Sequence, residues 1–181
     1  MRTWGQEMLA ELPRVITETL AMSETVEKVA SHLIGAEHLF YIGRDVDCAL
    51  CTEASLKLKE ISYIHSEAYA AGELKHGTIS LCTEGTPVIA LCTSSRVCEK
   101  TISGIREVKS RGAYVIAVCS YELAHAYDIP CDQMLIIPPV RELLAPFPAI
   151  TLMQLLAYFV SAQKGLDVDK PRNLAKSVTV E

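Results

Sequence analysis

Two continuous apolar runs, residues 87–92 and 113–119, flank one amphipathic stretch, residues 97–111, that Gly112 closes. Unbroken rather than alternating hydrophobicity is the pattern of strands buried on both faces. Parallel neighbours need a crossover of helical length between them. The order therefore predicts a βαβ unit with a right-handed parallel connection. It limits the chain to one class: an α/β fold, a three-layer α/β/α sandwich around an open, mainly parallel sheet, flavodoxin-like or Rossmann-like. With 181 residues, half of them hydrophobic, one domain can fill such a core.

The rest of the chain extends the pattern. Residues 6–20 read as helical, with Pro13 marking a break or a fresh start. Ser23 is a suitable N-cap for a helix carrying Val26, Val29, Ala30 and Leu33, stopped at Gly35. A short strand at 38–43 precedes a helix containing Glu53 and Glu60. A weaker strand at 133–137 ends at Pro138 and Pro139, and an apolar helix over 149–164 closes at Gly165. We divide the chain into a helical leader (1–36) packing on the domain, the α/β domain (37–165) and an irregular tail (166–181). Ligands in such sheets bind beyond the carboxyl ends of strands. Those ends are Gly43-Arg44-Asp45, Thr93-Ser94-Ser95 and Ser120.

A formal charge of -5 argues against nucleic-acid binding. The apolar stretches are strand-length or interrupted, so no membrane span is expected. Seven cysteines and no secretory signal point to free thiols in a reducing cytoplasm. Cys48 and Cys51 have C-x-x-C spacing but lack a second such pair and a thioredoxin-like context, so no metal and no cofactor is expected.

Chemistry concentrates on one helix face. Glu53, Lys57 and Glu60 recur at i, i+4 and i+7. By itself this is an ordinary salt-bridged face. It is also an arrangement in which two carboxylates flanking an ammonium can divide proton-transfer roles. His76 follows in a loop bounded by Gly72 and Gly77.

Three segments give the face a context: residues 56–77 (Leu56-Lys-Leu-Lys-Glu-Ile-Ser-Tyr-Ile-His65, then Glu67-Ala-Tyr-Ala-Ala-Gly-Glu-Leu-Lys-His-Gly77), residues 154–158, and residues 167–181. In order and distance they resemble the sugar isomerase (SIS) domain family. Within it they resemble the carboxyl-terminal isomerase half of the glutamine–fructose-6-phosphate aminotransferases. The resemblance implies conversion of fructose 6-phosphate and glutamine-derived ammonia to glucosamine 6-phosphate. Residue by residue, it makes Lys176 the Schiff-base lysine and Glu60 the base that carries a proton between C1 and C2. It makes His76 the ring-opening histidine, supplied across a homodimer interface. Lys57 becomes an active-site lysine, Glu53 a carboxylate that orients the site, and Ala175 a substrate neighbour.

The resemblance also implies what lies elsewhere: a glutaminase domain and a first SIS half whose Ser/Gln/Ser/Thr loop holds the sugar phosphate. Neither is recognisable here, so the chain reads as a piece of a longer enzyme, inactive or very weak alone. Thr93, Ser94 and Ser95, with Thr101 beyond, stand at the corresponding turn, either as a phosphate site or as ordinary caps. A stand-alone sugar-phosphate isomerase or deglycase would need them to hold phosphate. A phosphosugar-sensing module would not need Lys176. Three departures from the family pattern are Asp45 for a second glycine, Ala54-Ser55 for Gly-Ala, and Thr78 for proline.

Overall fold

The computed structural model describes residues 4–174. Its sheet has five parallel strands: β1 (His38–Gly43), β2 (His65–Ala70), β3 (Pro87–Cys92), β4 (Tyr114–Cys119) and β5 (Gln133–Ile136), in the order β2-β1-β3-β4-β5. The helices are α1 (Trp4–Leu9), α2 (Leu12–Leu20), α3 (Ser23–Ala30), α4 (Val46–Ser62), α5 (Cys98–Lys109), α6 (Tyr121–Ala126) and α7 (Pro146–Gln163). The apolar runs become the central strands because alternate residues bury into opposite cores. Leu39, Tyr41, Ile89, Leu91, Ile116 and Val118 enter the core beneath α3, α4 and α7. Phe40, Ile42, Val88, Ala90, Val115 and Ala117 enter the one beneath α5, α6 and the 3-10 turns Leu74–His76 and Thr78–Leu81. This is the expected α/β/α sandwich.

Pro13 lies in the first turn of α2, a fresh helix start. Ser23 is not an N-cap. It lies inside α3, after Met22, and its hydroxyl donates back to the Leu20 carbonyl. That helix ends at Ala30, short of Gly35, and the last helix begins at Pro146, three residues early. By length and composition, Glu142–Gln163 would also pass for a membrane span. Here α7 packs on α2, α3 and α4, burying Leu152, Met153, Leu156 and Val160.

Strand β2 was not anticipated. His-Ser-Glu-Ala-Tyr-Ala has no apolar run because an edge strand is only partly covered. It is held by a polar clasp. Ser55 Oγ on α4 and Ser66 Oγ on β2 lie 2.9 Å apart, and each hydroxyl also reaches the other residue's carbonyl, at 2.9 and 3.0 Å. Both residues are buried, so the clasp fixes α4 against the edge strand. Ser55, the departure from Gly-Ala, thus has its counterpart in Ser66.

Candidate active site

Strand order reverses between β1 and β3, so the ligand crevice of a doubly wound sheet falls beyond their carboxyl ends. A cavity of about 430 Å³ occupies that place, lined by Asp45, Val46, Thr93, Ser94, Arg96 and Glu142 among others. A second, of about 300 Å³, continues past β4. The amides expected to receive a phosphate are already engaged. Thr93 donates its N–H (2.8 Å) and hydroxyl (2.5 Å) to Asp47, and Ser94 N–H donates to the same carboxylate at 3.3 Å. Ser95 donates its N–H (2.9 Å) and hydroxyl (2.7 Å) to Glu142. The Thr101 hydroxyl donates to the Val97 carbonyl. In this conformation the turn binds the protein's own carboxylates. Asp47 is fully buried with no cation paired to it among the described residues, and that burial raises its pKa above the ordinary value despite three donors.

Gly43 and Asp45 shape the entry to α4. A Cβ at Gly43 would meet the Asp47 carbonyl carbon and oxygen at 2.7 Å. Asp45 has φ 57° and ψ -130°, a region that side chains rarely adopt, and its carboxylate pairs with Arg96. The resemblance implies glycine at this position, and the observed backbone conformation suits one. Asp45→Gly is expected to stabilise the fold by about 1 kcal/mol, because the lost surface ion pair contributes little. A shifted urea midpoint checks it; a lower midpoint would show that Asp45 carries no strain.

The acid/base face forms near the far end of α4. Lys57 Nζ lies 2.9 Å from Glu60 Oε2 and 3.8 Å from Glu53 Oε1. The hydrogen bond with Glu60 holds Lys57 protonated, its pKa raised, so Lys57 is a fixed cation rather than a nucleophile. Glu60 lines a groove of about 270 Å³ with Leu56, Lys59, Tyr63, Arg172 and Leu174. Tyr63 ends α4 in the left-handed conformation, φ 61°. Its hydroxyl accepts the Arg172 N–H at 2.9 Å, and the Arg172 guanidinium lies 4.1 Å over its ring. Tyr63 is therefore the post on which Arg172 docks. Ala175 and Lys176 lie outside the described residues. Leu174, two positions before Lys176, lines the groove.

His76 is not brought to Glu60 within one chain. Glu60 sits near the amino end of β2, whereas His76 follows its carboxyl end, and six residues of strand span about 20 Å. The cysteines are uninvolved. All seven are free, and burial pushes the thiols of Cys51 and Cys98 up, the latter to about 12. Among the described residues no group of side chains is arranged to hold a metal. Asp47, Glu142, Tyr63 and Ser66 were missed, because their partners are distant in sequence.

The SIS domain family model matches residues 32–162, most of the chain. The chain belongs to the SIS domain family. A Sphingobium yanoikuyae protein named glutamine–fructose-6-phosphate aminotransferase [isomerizing] is 48% identical over 156 residues, covering 86% of this SIS chain and all of that one. A namesake from Symbiobacterium thermophilum is 50% identical over 173 residues, 96% of this chain. The chain spans only 28% of that relative's length. Among solved structures, the C-terminal domain of glucosamine-fructose-6-phosphate aminotransferase from Francisella tularensis superposes with a TM-score of 0.86 at 31% identity, covering 91% of this chain and 46% of that one.

Proposed function

We propose that this SIS domain is the carboxyl-terminal isomerase half of a glutamine–fructose-6-phosphate aminotransferase. His76, supplied by a second copy in a homodimer, opens the fructose 6-phosphate ring. Lys176 attacks the C2 carbonyl and forms an imine with loss of water, and ammonia then takes the lysine's place. Glu60 removes the C1 proton and returns it at C2 while the C1 hydroxyl proton passes to the nitrogen, leaving the C1 aldehyde and C2 amine of glucosamine 6-phosphate. Lys57 holds the Glu60 carboxylate in place by its 2.9 Å ion pair, and Glu53 extends the same charged face. The observation that carries this reading is the groove in which Glu60, paired to Lys57, faces the segment leading directly into Lys176. The relatives' names favour it over a stand-alone isomerase or a phosphosugar sensor.

The separation of His76 from Glu60 supports a site built from two copies. Because Thr93, Ser94 and Ser95 are engaged by Asp47 and Glu142, this reading gives phosphate anchoring to the preceding SIS half and ammonia supply to a glutaminase domain. A cytoplasmic location follows from the substrates. Borohydride trapping with fructose 6-phosphate tests the assignment. In the presence of the preceding half, peptide mass spectrometry is expected to find the sugar on Lys176 and on no lysine of Lys176→Ala. An adduct on Lys57, or none at all, would overturn it.

A further inference from the structure

A second cluster of charge lies on the opposite face of the sheet, beyond the carboxyl ends of β1 and β2. A cavity of about 100 Å³ there is lined by Arg44, Gly72, Lys75, Lys100, Ser103 and Glu107, among others. It is separate from the groove of Glu60, which lies some 21 Å away along α4 at 1.5 Å per residue. Three cations meet one carboxylate, and among the described residues none of the three has an ion-pair partner.

Arg44 is the centre of the arrangement. Its Nε is buried with no acceptor among the described residues. A buried donor without a partner is costly, and a guanidinium more so. Gly72 lets the chain pass close to this group, since a Cβ there would stand 2.7 Å from one Arg44 Nη. The two lysines come from separate elements, Lys75 from the turn after β2 and Lys100 from α5. Ser103 adds a hydroxyl from the next turn of α5. Charge, donor geometry and size agree. Two ammonium groups and a fork of N–H donors suit a compact oxyanion. At about 100 Å³ and open to solvent on one side, the cavity has room for a tetrahedral anion.

We propose that this cavity binds a phosphoryl group, as inorganic phosphate or the phosphate of an ester, held by Arg44, Lys75 and Lys100. The site does not depend on the catalytic assignment of Glu60, His76 or Lys176.

The test is a titration of the full ¹⁵N-labelled chain with inorganic phosphate, with ionic strength held constant by chloride. Saturable shifts are expected at the amides of Gly72, Ser103 and Gly104. Lys100→Ala, an exposed change that spares the core, is expected to weaken binding about tenfold, the loss for one charge-assisted hydrogen bond. Arg44→Gln should abolish it. Lys28→Ala, the same charge change on α3, should leave it unchanged. Fructose 6-phosphate run in parallel separates the sources: the same shifts at lower concentration assign an ester, and shifts with inorganic phosphate alone assign the free ion. Equal weakening in Lys28→Ala and Lys100→Ala would overturn the site, as would shifts that never saturate. Shifts at these amides that follow protein concentration rather than phosphate would also overturn it, in favour of an acidic side chain from another copy.

Discussion

Glutamine in place of Glu60 is expected to slow proton transfer between C1 and C2 by about 10²- to 10⁴-fold while leaving the fold intact. The size follows from the role: a positioned carboxylate contributes that much as a general base. Glutamine has the same shape, and its amide oxygen can still accept from Lys57, now 2.9 Å from the carboxylate. Geometry is therefore kept and only basicity is lost. Stability should change little, because the Glu60 side chain is 28% exposed and such pairs contribute at most about 1 kcal/mol. The measurement is glucosamine 6-phosphate formation, with deuterium exchange at C1, in protein that includes the preceding isomerase half. Trapping on Lys176 should persist in the variant, separating imine formation from proton transfer. A rate within threefold of the parent would exclude Glu60 as the base.

The largest stability effect is expected at Asp47. Removing its side chain, Asp47→Ala, leaves the amides of Thr93 and Ser94 and the Thr93 hydroxyl without acceptors in a buried turn. The expected loss is about 3 kcal/mol, a large share of a typical domain's 5–15 kcal/mol. Asp47→Asn keeps one acceptor and removes a desolvated charge, so about 1 kcal/mol is expected at neutral pH. The pH dependence has a definite sign. Burial raises the folded-state pKa above the ordinary 3.8, so the folded form binds the proton more tightly. The stabilisation from that proton is complete below the unfolded value and is lost as pH rises through the folded one. Wild type should therefore gain on Asp47→Asn as pH falls toward 4. Urea unfolding of both proteins at pH 4 and pH 7 measures the difference, and a gap that widens with rising pH in favour of wild type would show that Asp47 is stabilised as the carboxylate.

Both predictions concern α4, and the two halves of that helix were not equally legible. Glu53, Lys57 and Glu60 could be read directly, because helical spacing alone brings side chains three and four residues apart onto one face. Asp47 could not. Its partners stand 46 and 47 residues away, and nothing local distinguishes it from an acid in an ordinary first helical turn. The same limit applies to Ser95 with Glu142 and to Tyr63 with Arg172. Strand β2 escaped notice for a different reason: an edge strand covered mainly on one face carries no continuous apolar run.

The amino-acid sequence by itself determined the α/β class, the central parallel strands and the SIS resemblance, since each rests on periodicity or on residues close together in the chain. Tertiary structure alone decided that the Thr93–Ser95 turn faces Asp47 and Glu142, that Tyr63 holds Arg172 beside Glu60, and that His76 lies at the far end of β2 from Glu60. Those relations depend on which strand neighbours which and on how far each loop carries the chain. Strand order 2-1-3-4-5 is set by packing among distant segments, and local propensity does not encode it.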